Sequence, residues 1–208
     1  MAPDLPSLGR DRTSVEGITL QGWTDSVCGH LDGQDEPVIL VGHSRAGAVI
    51  SQAAEKRPKK VLMLVYLAAY LLEDGESVSQ TALKDERSLV PPNMIVAPDH
   101  KSCTLREAAV KDALYGECTD EDVILAQSLL VPEALAPLTT PIRTSAGNYG
   151  RVPRVYIECR RDRALSLSEQ RRMVNAMPCE RILSMDTDHS PFLSSPDELT
   201  AHLLSLQS

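Results

Sequence analysis

The stretch Val38-Ile39-Leu40-Val41-Gly42-His43-Ser44-Arg45-Ala46-Gly47 joins a short apolar run to a Gly-x-Ser-x-small turn and then to a helical pattern. A continuous apolar run of this length has the form of a parallel strand buried on both faces. Past the turn, Ala46, Val49, Ile50, Ala53 and Ala54 fall on one helical face. A serine forced onto a sharp strand-to-helix turn has a strained backbone, and small residues on either side let the turn close. Its hydroxyl then stands at the top of the sheet, where the Arg45 backbone N–H and the helix N-terminus can stabilise developing negative charge. The bland alternative is a tight turn with an incidental serine.

Working outward, Val61–Ala69, Arg154–Cys159 and Arg181–Met185 are further strand candidates. Leu20, Trp23, Val27 and Leu31 share a helical face before the first strand, and Ser168–Met177 and Pro196–Leu206 read as closing helices. Strand–helix alternation implies an α/β fold, a mostly parallel sheet with helices on both faces. The middle of the chain reads differently. Residues 71–150 hold 6 basic and 13 acidic side chains, so nearly all of the net charge of −8 sits there, together with Pro91, Pro92, Pro98, Pro132, Pro137 and Pro141. Leu105–Tyr115 and Asp120–Leu130 are plausible helices, the second capped by Thr119, whereas 84–103 and 132–150 read as irregular connections. The division expected is a core of residues 1–70 and 151–208 with a lid, residues 71–150, over the carboxyl edge of the sheet. Val90, Met94, Ile95, Val96, Leu105, Leu114, Ile124 and Leu125 are expected to supply the lid's inner face, making an aliphatic pocket for a small or medium acyl group.

A serine nucleophile needs a base, and the base needs an orienting carboxylate. Of the five histidines, His43 adjoins Ser44, where neighbouring side chains diverge, and His30 and His202 lie in amphipathic helices. His100 sits in an irregular lid segment. His189 follows the last strand, on the same sheet edge as Ser44, and is the expected base. Asp162, just past the preceding strand, is the expected carboxylate, with pairing to Arg160 or Arg163 as its bland reading. Asp186 and Asp188 are rivals that more naturally shape the His189 loop, and Asp74 is an outsider. The order Ser44, Asp162, His189 is that of α/β-hydrolases.

The remaining composition narrows the function. An acidic surface does not favour nucleic acid or anionic membranes, which want clustered positive charge. No apolar stretch approaches the ~18 residues of a membrane span, and the first residues lack a signal peptide's basic and apolar regions. Five scattered cysteines without a Cys-x-x-Cys pair read as reduced thiols of a cytoplasmic protein, with neither zinc site nor disulfide framework.

Ala2-Pro3-Asp4-Leu5-Pro6, Val41-Gly42-His43-Ser44, Val65-Tyr66-Leu67-Ala68-Ala69, Val155-Tyr156-Ile157-Glu158-Cys159 with Asp162, and Asp188-His189-Ser190-Pro191-Phe192 resemble the bacterial esterases related to plant methylesterases and hydroxynitrile lyases. The resemblance runs along essentially the whole chain. It implies an α/β-hydrolase fold and hydrolysis of small carboxylic esters without cofactor or metal, with Ser44 as nucleophile, His189 as base and Asp162 as its partner. Hydroxynitrile lyases resemble one another in a lysine after the base histidine; here the position is Ser190, which favours the esterase over the lyase. A hydrolase-like binder without efficient turnover is the third reading.

Two departures stand out. The residue after the nucleophile is usually apolar in that family, and here it is Arg45. Its guanidinium either holds a substrate carboxylate or, the favoured reading, pairs with an acidic residue of the lid. The family also begins with a strand, a His-Gly loop and a helix that have no counterpart in these residues. The favoured expectation is a start that lies further upstream. If these 208 residues are the whole chain, a bare edge along Val38–Val41 is prone to self-association, and Arg45 N–H is the only obvious oxyanion donor of a weak catalyst.

Overall fold

The computed structural model describes residues 1–206. Helix α1 (Leu20–Asp32) starts at Thr19, whose hydroxyl accepts the Gly22 N–H at 3.0 Å. It buries Leu20, Trp23 and Leu31, while Val27 is only partly covered because Thr24 and Cys28 turn inward beside it. Strand β1 (Val38–His43) leads into helix α2 (Ala46–Lys56), which packs on α1 and buries Val49, Ile50, Ala53 and Ala54 in the same core. Strand β2 (Val61–Leu67) follows and pairs with β1 in parallel.

Between β2 and the next core strand come helix α3 (Val78–Lys84), strands β3 (Met94–Val96) and β4 (Ser102–Leu105), and helices α4 (Glu107–Leu114) and α5 (Asp120–Leu129). Strand β5 (Glu133–Ala134) and helix α6 (Leu135–Thr139) complete this segment. The chain then returns through β6 (Arg154–Cys159), α7 (Leu167–Ala176), β7 (Arg181–Met185), α8 (Pro191–Ser194) and α9 (Pro196–Leu204). The core sheet is wholly parallel in the order β1-β2-β6-β7. Parallel strands share one carboxyl edge, so the loops carrying Ser44, Tyr70, Asp162 and His189 all emerge on the same side.

The two faces of the sheet are covered unequally. Leu64, Tyr66 and Tyr156 enter the larger core with α1, α2 and α7. Val65, Leu67, Val155 and Ile157 face the other way and meet Leu199 of α9 and Leu206. Val41 is paired with Val65 and shares its face, yet 41% of it is exposed, because α9 lies over the β7 side of the sheet. The expectation that β1 is buried on both faces therefore fails: its residues are half-buried or exposed apart from Gly42.

The intervening segment also differs from its sequence reading. Residues 84–103 and 132–150 are not wholly irregular, for they supply a three-stranded antiparallel sheet, β3-β4-β5. Strands of two to four residues carry no readable alternation. Their pairing also joins residues far apart in sequence, Cys103 opposite Glu133. Helix α3 did carry a local signal: Ser77 and Gln80 form a reciprocal capping box.

Candidate active site

Ser44 sits between β1 and α2 with φ at +53°, in the left-handed region that costs an L-residue about 1–2 kcal/mol. Neighbours hold it there. Its N–H donates to the Leu67 carbonyl at 3.3 Å, and its own carbonyl accepts from Tyr70 N–H at 3.0 Å. Gly42 and Gly47 make the turn possible. A Cβ on Gly47 would overlap the Tyr70 backbone, and one on Gly42 would come within 2.9 Å of Ile50. The sequence reading singled out Gly42 and Ala46; the tightest approach is at Gly47. Arg45 stands at the N-cap of α2, so its N–H belongs to the first turn, whose donors have no intrahelical acceptor.

His189 and Asp162 come from the loops after β7 and β6. The His189 Nδ1–H donates to Asp162 Oδ2 at 2.7 Å, which leaves Nε2 unprotonated and available as a base. The other carboxylate oxygen, Oδ1, accepts the N–H groups of Ala164 and Leu165 at 2.7 and 2.9 Å, so the acid is fixed from both sides. Both side chains are almost fully buried. The arginines offered as its bland partners turn elsewhere: Arg160 reaches Asp186 and Arg163 reaches Asp112.

The rival acids have other work. Asp188 Oδ1 accepts from Ser190 N–H and the Ser194 hydroxyl at 3.1 and 2.7 Å, and its Oδ2 accepts the Glu117 N–H at 2.9 Å. It shapes the His189 loop, as read from sequence, and ties that loop to the segment between α4 and α5. Asp74 accepts the Thr144 N–H. Among the other histidines, His30 and His100 are exposed, and His202 faces Glu198 within α9.

His43 carries a role the sequence did not disclose. Its Nε2–H donates to the His189 carbonyl at 2.7 Å, and its ring lies 4.6 Å from the His189 ring and edge-on to Phe192. Because a carbonyl can only accept, His43 must carry its proton on Nε2. Burial, and then the charge His189 would carry, push His43 well below the usual histidine range. It is a neutral brace under His189.

Ser44 and His189 open into one cavity of about 400 Å³. Val90, Met94, Leu105 and Leu114 line it as expected, but Ile95, Val96, Ile124 and Leu125 face solvent. Their places are taken by Leu129, Leu130 and Val131, which run from the end of α5 toward β5. Only Val123 is buried in α5, so a helical stripe there does not mark the inward face. Arg45 and the lid residue Glu133 also line the cavity and form an ion pair, with the guanidinium 5.8 Å from the centre of the Trp23 ring. Burial raises the Glu133 carboxyl above its usual range, and Arg45 opposes that rise.

Among the described residues no group of His, Cys, Asp and Glu side chains could hold a metal ion, and no helix is long and apolar enough to cross a membrane.

The model of the alpha/beta hydrolase family matches residues 1–202. The chain belongs to that family. Within the alpha/beta hydrolases, it is 33% identical to methylesterase 7 of Arabidopsis thaliana over 99% of its own length and 84% of that protein's. A chloroplastic methylesterase-like protein of the same plant, methylesterase 11, is also 33% identical over 99% of the chain, which spans only 56% of it. The crystal structure of polyneuridine aldehyde esterase superposes with a TM-score of 0.88 over 100% of this chain and 88% of that one, at 24% identity. That likeness bears on the fold. The alpha/beta-hydrolase fold and the methylesterase kinship read from the sequence both stand.

Proposed function

We propose that this alpha/beta hydrolase cleaves small carboxylic esters, methyl esters among them, through an acyl-enzyme. The observation that carries the reading is the 2.7 Å bond from His189 to Asp162 beside a serine at φ +53° that faces the same cavity. The methylesterase relatives support the substrate class. Ser44 Oγ attacks the ester carbonyl carbon while its proton passes to His189 Nε2. The carbonyl oxygen takes up the electron pair and is held at the N-terminus of α2 by the Arg45 N–H. When the intermediate collapses, His189 returns the proton to the departing alkoxide and an alcohol leaves. Water then attacks the acyl-enzyme, His189 takes its proton, and collapse releases the acid and regenerates the serine hydroxyl.

The hydroxynitrile-lyase reading finds no support at position 190, where Ser190 donates its N–H to Asp188. Turnover of a short p-nitrophenyl ester tests the esterase directly. Ser44→Ala should abolish it with an unchanged circular dichroism spectrum; equal activity in that variant removes Ser44 from the mechanism, whereas no turnover by the unsubstituted protein favours the non-catalytic binder.

Two further parts of the proposal concern the protein's surroundings. Its five cysteines are unpaired thiols, which supports a reducing, cytoplasmic setting. Titration of fewer than five thiols in protein taken from its own cell would count against this. The exposed side of β1 supports self-association through that sheet edge.

A further inference from the structure

The cavity above Ser44 is walled mainly by aliphatic side chains, yet one ion pair is built into it. Among the described lining residues, Arg45 and Glu133 are the only Asp, Glu, Lys or Arg side chains. They come from opposite sides: Arg45 from the turn that carries the nucleophile, Glu133 from the lid strand β5. The Arg45 side chain is 35% exposed and that of Glu133 21%, so the pair is partly removed from water. Trp23, buried in α1 and anchored by its indole N–H on the Pro6 carbonyl, backs the guanidinium on another side.

A lone guanidinium one residue from the nucleophile would recruit carboxylates, because Arg pairs with them in a planar, charge-assisted geometry. Glu133 already supplies that carboxylate from within the protein. An uncharged ester can enter and leave the pair intact. A substrate bearing its own carboxylate must either displace Glu133 or lie beside it, and like charges in a low-dielectric site repel.

We propose that Glu133 is a specificity-determining residue: by occupying Arg45 it restricts the cavity to uncharged esters, and its removal unmasks an anion-binding site for half-esters of dicarboxylic acids. The inference rests on the ester-hydrolase reading for its substrate class. It does not rest on turnover for its test.

Two probes of matched length separate the cases, methyl pentanoate and monomethyl glutarate, which share a chain and differ in a terminal carboxylate. Methanol release by the unsubstituted protein should favour the neutral ester. In Glu133→Gln the ratio of kcat/KM values should shift toward monomethyl glutarate by at least about tenfold, the scale of one hydrogen bond to a charged group. Glu133→Ala should shift it in the same direction, and adding Arg45→Gln to either variant should erase the gain. The same comparison is made by affinity in a Ser44→Ala background, reading the emission of Trp23, the single tryptophan, against Arg45. If the unsubstituted protein hydrolyses neither ester, the hydrolase reading fails while the affinity ratio still decides this inference. An unchanged ratio, or an equal loss of both ligands in the Glu133 variants, shows that the pair is a strut between lid and core and overturns the proposal.

Discussion

In the proposed mechanism Ser44, Asp162 and His189 form a chain of dependencies in which each side chain fixes the state of the next. The Asp162 carboxylate selects the Nδ1–H tautomer of His189, and that tautomer alone leaves Nε2 free to take the Ser44 proton. Asp162→Asn should therefore lower kcat by about 10³–10⁴ with little change in KM, because an amide can present its NH₂ to Nδ1 and reverse the tautomer. Stopped-rate assays on one p-nitrophenyl ester check this. His43 makes a different prediction. Its pKa lies well below the ordinary 6.5 in the folded protein, so the unfolded chain binds a proton first as pH falls. Stability should drop as pH is lowered through about 6.5, by at most about 1.4 kcal/mol per pH unit from this group. His43→Asn should flatten that part of the curve in urea unfolding at pH 5 to 7; an unchanged slope would show that His43 does not titrate on unfolding. The triad candidates were legible because strand ends on one parallel edge gather their loops, whatever the loops contain. The brace at His43 was not legible, since its partner is the His189 carbonyl 146 residues away.

At the scale of elements, both loops that carry the base and its acid are held by the lid segment. Asp85 accepts the Ser166 N–H and hydroxyl at 2.8 and 2.7 Å, the Ser88 hydroxyl donates to the Ala164 carbonyl, and Leu89 N–H donates to the Arg163 carbonyl. On the other side Asp188 grips Glu117, and Arg161 forms an ion pair with Glu117 at 3.0 Å. The segment between β2 and β6 thus buttresses the loops that carry Asp162 and His189 as well as walling the cavity. Asp188→Ala removes the acceptor of the Ser190 and Glu117 N–H groups, the Ser194 hydroxyl and the Cys118 thiol, and hydrogen bonds to charged groups contribute about 1.5–3 kcal/mol. A loss of that order in urea unfolding is expected, with a fall in kcat larger than any rise in KM. Loss of stability without a kcat effect would mean that the loop keeps His189 in place unaided. The helices α4 and α5 were readable within one or two residues, the second also from its Thr119 cap. The lid sheet was not, because its strands are only two to four residues long and one of its two pairings joins Cys103 to Glu133, thirty residues on.

For the whole molecule, the four-stranded sheet divides its surface unevenly. The face that packs on α1, α2 and α7 holds the larger core, and the face under α9 leaves Val41 open to solvent beside partly buried Ile39 and Met63. Apolar side chains on an outer strand invite a second chain. Val41→Lys should shift the protein toward monomer in sedimentation velocity at micromolar concentration; a protein that is monomeric before and after the change removes this edge as an interface. The cavity of about 400 Å³ sets a second global expectation. Activity across acyl chain lengths should peak at short to medium aliphatic acids, and a preference for bulky polyaromatic acids would contradict the aliphatic wall. The charge pattern marks residues 71–150 as an acidic, proline-punctuated stretch that interrupts a balanced core. It could not foretell which face of that stretch turns inward, because Val131 and Leu130 reach the cavity through the path of the backbone between α5 and β5.

The central claim is that Ser44 is an activated nucleophile, and covalent trapping by a fluorophosphonate tests it most directly. Intact-mass analysis should show one adduct per chain, and peptide mapping should place it on Ser44. The adduct should be absent from Ser44→Ala and form far more slowly in Asp162→Asn. No adduct on the folded, unsubstituted protein, or an adduct that persists in Ser44→Ala, would contradict the account.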